Sequence, residues 1–258
     1  MGLNTIVLAA GAALIAAVPA SAFAQVQVMQ GQERPAEMIE RINAGYDAEA
    51  AAIAAFDCAD NDRACLSEEL IERYRVDQWS RGLLHDPQAI CGDYFQTHMM
   101  PCLQTLMGTI TFKGDIENQA RLKEIVALHG WPSPPEFSGE AQNAAWYIAQ
   151  HGQYFDEEQG MTQWDADFAG SILPLIREAV EREELTPWHY AAMYDRRERA
   201  EGRPQRYATQ IMCSEGRADF GEVVDETRID EFRAEIGMDA LNLEGYHAHC
   251  ADGAHLSR

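Results

Sequence analysis

Basic residues are scarce in this chain. Its 258 residues include 20 Lys and Arg against 42 Asp and Glu, which gives a formal net charge of −22. Nucleic acids and anionic lipid head groups are bound by basic protein surfaces, because the bound phosphates need a nearby positive charge. The composition therefore excludes nucleic acid as a partner.

Long hydrophobic runs are also absent beyond the first residues of the chain. The apolar run from Ile6 to Val18 precedes small residues that form two candidate A-x-A cleavage sites. These sites are Ala20-Ser21-Ala22 and Ala22-Phe23-Ala24. We predict a cleavable signal peptide over residues 1–24 and a periplasmic or secreted mature protein with no membrane span. The alternative is a membrane anchor, although the run is short for a span of about 20 residues.

No C-x-x-C spacing occurs, which argues against a zinc ribbon or a thioredoxin-type redox motif. The six cysteines form an even set, and an exported chain with such a set is predicted to contain disulfides. Many pairings are possible. Proximity in sequence favours Cys58–Cys65, Cys91–Cys102 and Cys213–Cys250.

Alternating strand patterns are missing too, and helical spacing of apolar residues dominates. The sequence predicts an all-α fold, a multi-helix bundle stapled by disulfides. We expect an N-terminal helical extension over 25–66, a helical domain over 67–248 and a polar tail over 249–258.

Several helix boundaries are predicted from capping residues and helix breakers. Ser67 is expected to cap the second helix, and Thr186 followed by Pro187 is expected to start a late one. A clear helix is predicted from about Asp115 to Leu128. Residues 205–213 are less periodic and are expected to form a loop or a brief strand.

Polar residues lie on helix stripes that should face inward. Helical spacing places them on the same faces as apolar residues in four separate helices. They are Asp77 and Arg81, Asp115 and Asn118, Gln150 and His151, and Asp195 and Arg196. Burying an unpaired charge costs several kcal/mol of folding free energy, about enough to unfold a marginal domain. We therefore expect these groups to pair with one another in one network. The network is either structural or the polar floor of a ligand pocket.

The same positions carry a family resemblance. The chain resembles an uncharacterised bacterial family, the domain-of-unknown-function family 6624, from about Asp77 to Tyr246. The motifs are Asp77-Gln78 with Arg81, Asp115 through Gly130-Trp131-Pro132, Gln150-His151, Tyr194-Asp195-Arg196, and Gln205 to Gln210. The resemblance implies a set of site residues and no particular reaction.

Two positions depart from the family pattern. Ala208 replaces a usual glycine, so a positive φ there would be strained. An acidic residue usually follows the Gln-His pair, where this chain has Gly152-Gln153, and Asp156 is a candidate substitute.

The enzyme hypothesis is a hydrolase or transferase acting on a small-molecule or cell-envelope ligand. In this hypothesis His151 is the general base, with Asp195 or Asp77 orienting its ring. The expected catalytic set is His151, Asp195 and Arg196, and Arg196 and Arg81 are expected to bind an anionic group. The expected ligand-binding set is Asp77, Arg81, Asp115, Asn118, Gln150, Tyr207, Thr209 and Gln210. No nucleophile elbow is present. No cofactor or metal is expected. The alternative is a non-catalytic ligand-binding or protein-interaction module of the cell envelope.

Overall fold

The computed structural model describes residues 36–92, 96, 98–108 and 112–251. The predicted signal peptide over 1–24, its cleavage sites and the alternative membrane anchor lie outside these residues. Within the described part of the chain, no helix is both long and apolar enough to cross a bilayer.

Helices make up most of the described fold. The earlier ones are α1 Ala36–Ala54, α2 Arg63–Gly82, α3 Pro87–Cys91, α4 Met99–Leu106, α5 Phe112–His129 and α6 Gly139–His151. The later ones are α7 Ala166–Glu181, α8 Pro187–Ala200, α9 Ile229–Glu235 and α10 Leu243–Ala251, with a 3-10 turn at Glu226–Arg228. The helix-rich class is confirmed.

Two small antiparallel hairpins depart from the all-α prediction. Strands β1 Gln153–Asp156 and β2 Met161–Trp164 pair with Gln153 opposite Trp164. Strands β3 Met212–Ser214 and β4 Arg217–Asp219 pair with Cys213 opposite Ala218. Of the stretch 205–213, expected to be a loop or a brief strand, residues 205–211 form a loop and β3 begins at Met212.

Side-chain caps explain where several helices begin. The Asp62 side chain accepts from the Cys65 amide and caps α2, so the predicted Ser67 cap is wrong. Ser67 lies inside α2 and its hydroxyl donates to the Arg63 carbonyl instead. Thr186 and Pro187 begin α8 as predicted. The predicted boundaries at 66/67 and 248/249 fall within α2 and α10 respectively.

The main hydrophobic core surrounds Trp146, whose exposed fraction is 0%. Apolar residues of α2, α5, α6, α7 and α8 pack around it, and the Trp146 indole N–H donates to the His189 carbonyl at 3.0 Å. A second cluster packs α1 against α2 and the α3–α4 segment through Ile42, Tyr46 and Val76. These contacts fix the relative positions of α2, α6 and α8, which hold the candidate site.

All three predicted disulfides are confirmed: Cys58–Cys65, Cys91–Cys102 and Cys213–Cys250. The last one joins β3 to α10 across 37 residues of sequence. Because cross-links restrict the unfolded chain more when the loop is longer, this bridge is expected to stabilise the C-terminal part most.

Ala208 has a positive φ, the conformation that was expected to be strained at this position. Its φ is 52° and its exposed fraction is 0%. A residue with a Cβ is strained in this conformation by roughly 1–2 kcal/mol relative to glycine. The surrounding loop must therefore hold Ala208 through other contacts, which converge on Asp195.

Candidate functional site

An open cavity of about 890 Å³ lies between α2, α6 and α8. This volume is within the range of small-molecule sites, about 300–1,000 Å³. Polar and aromatic side chains from the three helices line it, among them Arg81, Asn143, His151, Trp188, His189 and Arg196. We name this space the central cavity.

His151 is the last residue of α6 and is held by a carboxylate from α2. Its Nδ1 lies 3.0 Å from Oδ2 of Asp77, and its side chain is 12% exposed. Asp77 is itself fixed by Arg81 at 2.7 Å and by the amide of Gln78 at 2.8 Å. The imidazole therefore has one defined orientation at the edge of the cavity.

The electrostatics of this pair favour a neutral His151. Burial disfavours the charged form and lowers the pKa of His151; Asp77 opposes this shift, and the nearby Arg81 and Arg196 add to it. Burial opposes ionisation of Asp77, but His151 and Arg81 outweigh it and lower the pKa of that carboxyl. An ionised Asp77 can only accept, so Nδ1 of His151 carries the proton. Nε2 then presents a lone pair to the central cavity.

Asp115 forms the second carboxylate of the site. It binds Arg81 through contacts of 3.0 and 3.2 Å, and the Gln153 side chain donates to it at 3.0 Å. Burial, together with the neighbouring Asp77 charge, raises the pKa of Asp115 to about 7. Asp115 is therefore partly protonated near neutral pH, while Asp77 stays ionised.

Replacing Asp115 by asparagine should change how stability depends on pH. The folded state binds a proton on Asp115 between its unfolded pKa of 3.8 and its folded pKa of about 7, so wild-type stability falls as pH rises through that window. The asparagine side chain keeps the shape of the protonated group and removes this titration. Urea unfolding at pH 4 and pH 8 should favour the variant at high pH by about 1–3 kcal/mol, since one pKa unit is worth about 1.4 kcal/mol. A pH-independent difference between variant and wild type would contradict this assignment.

His189 is a second histidine in the cavity, and its tautomer is opposite to that of His151. Its Nδ1 accepts the backbone N–H of Thr186 at 3.1 Å, so the ring proton of the neutral form is on Nε2. That nitrogen lies 3.4 Å from Oδ1 of Asn143. Burial lowers the pKa of His189 and favours the neutral ring, whose Nε2–H donates to Oδ1 of Asn143 at the cavity wall.

Arg196 also reaches the cavity, from α8. Its guanidinium lies 5.5 Å from the ring centre of Trp164. Within the described residues it makes no ion pair or hydrogen bond, in contrast to Arg81, which binds two carboxylates. Burial and repulsion from Arg81 lower the pKa of Arg196 to about 10, so it remains charged at neutral pH.

Asp195 lies on the same helix, α8, but does not line the central cavity, and it binds a loop instead. Its exposed fraction is 0%, and its carboxylate accepts the backbone N–H of Arg206, Tyr207 and Thr209 at 2.8 to 3.2 Å. The Thr209 hydroxyl adds a contact of 2.8 Å. Burial raises the pKa of Asp195, and these hydrogen bonds oppose that rise. The group nearest to His151 is thus Asp77, and Asp195 holds the loop that contains Ala208.

Two other predicted residues, Asn118 and Asp156, do not line the central cavity. Asn118 accepts from Arg73 at 3.2 Å, next to a buried ion cluster of Glu69, Arg73 and Arg121. Asp156 caps the β1–β2 turn by accepting two backbone amides of that turn, so it does not replace the missing family carboxylate.

Three further candidate residues line a second, small cavity. Gln150, Thr209 and Gln210 line a space of about 70 Å³ that shares Tyr147 and Trp188 with the central cavity. Tyr207 is buried outside both spaces, beside Tyr194. The polar stripe residues therefore do not meet at one point. Asp77, Arg81, Asp115 and His151 form one network, with Arg196 beside it.

Comparison with known proteins gives one match. A family model described as "Family of unknown function (DUF6624)" matches residues 87–254. The chain belongs to this family. No curated protein and no solved structure matches the chain.

The DUF6624 match covers most of the site but not all of it. Asp115, His151, His189 and Arg196 lie within the matched range, whereas Asp77 and Arg81 lie before residue 87. In the part of the DUF6624 chain that the structure describes, no three His, Cys, Asp or Glu side chains are grouped as a metal site requires.

The sequence interpretation missed His189, Asn143 and Gln153. His189 is the third residue of α8, a position from which side chains reach back to the N-cap, so the Thr186-Pro187 motif was a signal for its orientation. Gln153 follows the Gln-His motif closely, yet nothing in its spacing indicates a bond to Asp115.

Proposed function

We propose that this exported DUF6624 protein is an enzyme, a hydrolase or transferase that uses His151 as its general base. The observation that carries the proposal is the bond from His151 Nδ1 to the ionised Asp77 at 3.0 Å. This bond leaves Nε2 as a neutral base at a cavity of about 890 Å³. A base of this kind works best when its pKa lies near the ambient pH, where it is unprotonated often enough to accept a proton.

In the proposed reaction, Nε2 of His151 takes a proton from water or from a substrate hydroxyl as its oxygen attacks an electrophilic centre. The imidazolium that forms is stabilised by Asp77, which accepts the Nδ1–H bond throughout. The same proton is then given to the leaving group. Asp77 keeps its charge, so no net proton is stored between turnovers.

His189 is proposed to stabilise negative charge on the substrate. Its Nε2–H faces Oδ1 of Asn143 at 3.4 Å, and a substrate oxygen would take the place of that Oδ1 as the acceptor. Fixed donors at a position where an oxyanion develops contribute about 3–4 kcal/mol of transition-state stabilisation in measured cases. The two histidines therefore take complementary roles because different neighbours fix their tautomers.

Export is supported by the three disulfides, which are typical of proteins outside the reducing cytoplasm. The apolar run and small residues of segment 1–24 agree with this location. The proposed compartment is the periplasm or the medium.

The test is turnover of a panel of p-nitrophenyl esters, phosphoesters and glycosides by the wild-type protein and by His151→Asn. The variant should reduce kcat/KM for any accepted substrate by about 10²- to 10⁴-fold, because proton transfer loses its base. His249→Asn, on the exposed face of α10, is the matched control and should keep wild-type activity. Equal activity in His151→Asn and wild type would exclude the proposed base. Ligand binding without any turnover would favour the binding-module alternative.

A further inference from the structure

Arg196 carries a charge that no group of the described chain neutralises by contact. Arg81 is bound to Asp77 at 2.7 Å and to Asp115 at 3.0 Å. Within the described residues Arg196 makes no ion pair; it lies 5.5 Å from the ring centre of Trp164 and is attracted by Asp115 without contact. Both guanidiniums line the central cavity. The site therefore contains one compensated cation and one uncompensated cation side by side.

Arg196 is half-buried, and even partial loss of hydration is costly for a cation. Burial of a charge is tolerated when a partner or an accessible polar space offsets the lost hydration. Here no partner is in contact within the described residues, while the space is present. The chain has a net charge of −22, so a locally positive cavity wall is not a consequence of composition. This contrast indicates that the counterion of Arg196 is a ligand.

The rest of the cavity wall indicates the size and shape of that ligand. Tyr147 is held in place by stacking on Tyr74 with ring centres 4.9 Å apart, and Trp188 packs on Trp146 at 5.1 Å. These rings give a rigid apolar wall beside the two histidines. A planar or ring-shaped ligand body would bury apolar surface against them.

We propose that the central cavity binds a small organic oxyanion, a carboxylate or a phosphate ester, whose charged group is bound by Arg196. The planar guanidinium matches two oxygens of such a group, and the ligand body lies against Tyr147 and Trp188. The inference depends on the proposed function in one respect, that the bound anion is the substrate on which His151 acts. The binding itself does not depend on catalysis.

The test is calorimetric titration of sodium phosphate and of sodium acetate into the full mature chain at constant ionic strength. Wild type should bind at least one of them, and Arg196→Gln should weaken binding by about tenfold or more, since a charge-assisted contact is worth about 1.5–3 kcal/mol. Arg196→Lys keeps the charge and should retain weaker binding, because it loses the two-pronged contact. Arg177→Gln, an exposed arginine of α7, is the matched control and should bind as wild type does.

Each result decides a different part of the proposal. Phosphate binding without acetate binding assigns a phosphate ester, and the reverse assigns a carboxylate. Binding that is the same in wild type and in Arg196→Gln, or no binding of either anion, overturns the anion site. His151→Asn should keep anion binding while losing turnover. Turnover that depends on His151 without Arg196-dependent binding would therefore reject the anion site alone, and Arg196-dependent binding without turnover would reject the proposed base alone.

Discussion

Replacing Asp77 by asparagine is expected to reduce kcat/KM by about 10²- to 10⁴-fold while the protein remains folded. The asparagine side chain has nearly the same shape, but its amide is neutral and can donate as well as accept. The Nδ1–H tautomer of His151 then loses the charged acceptor that lies 3.0 Å away in wild type. In proteases with a similar pair, the same change costs about 10⁴-fold. Steady-state kinetics on a substrate that wild type accepts gives the measurement.

The matched control for this change is Asp47→Asn. Asp47 lies on α1 with a side chain that is 68% exposed and makes only a long contact of 3.6 Å to Lys113. It should leave kcat/KM unchanged. If Asp77→Asn retained wild-type kcat/KM and its thermal unfolding matched wild type, the Asp77–His151 pair would have no catalytic role.

Replacing Asp195 by alanine should have its largest effect on stability. Three backbone N–H groups and the Thr209 hydroxyl converge on this fully buried carboxylate. Each buried donor that loses its partner costs about 1–3 kcal/mol, so the free energy of unfolding should fall by about 3–5 kcal/mol. Urea denaturation measures this change. The backbone at Ala208 is strained, with φ 52°, so loop 205–210 is expected to detach from α8 when its bonds to Asp195 are lost.

The exposed Asp60→Ala substitution is the matched control and should change the free energy of unfolding by less than about 0.5 kcal/mol. A loss of less than about 1 kcal/mol in Asp195→Ala, the cost of one ordinary hydrogen bond, would contradict the anchoring role.

Together, the Asp77 and Asp195 variants distinguish the roles of two buried aspartates that the sequence pattern treats as equivalent. One is expected to affect turnover and the other stability.

Helical spacing predicted much of the fold because it reports directly on which side of each helix is buried. The predicted helix over Asp115 to Leu128 is observed as α5, which is longer by three residues at its start and one at its end. The disulfide pairs followed from proximity in sequence. The β1–β2 hairpin was missed, and a strand near β3 was only one of two alternatives, because each strand has only three or four residues, too few for a period of two to be recognised.

The candidate site was predictable only in part. Helix stripes identified Asp77, Arg81, Asp115 and His151, which form one network. The same argument also placed Asp195 there, because a stripe defines an inward face but not which neighbour that face meets. The loop at 205–210 folds back on Asp195, and no periodic pattern encodes that path.

His189 shows a second physical limit. Its role depends on the tautomer fixed by the Thr186 amide, which is a property of the folded N-terminus of α8. Sequence reasoning identified the cap but could not place its histidine at a cavity formed with α2 and α6.

The most direct test of this account is ¹⁵N NMR of the histidine side chains in the mature protein, titrated across the neutral range. We predict that His151 is neutral at neutral pH with its proton on Nδ1, that its pKa lies below the ordinary value of 6.5, and that Asp77→Asn removes the preference for this tautomer. A His151 whose neutral form carries its proton on Nε2, or that stays protonated at neutral pH, would contradict the proposed general base.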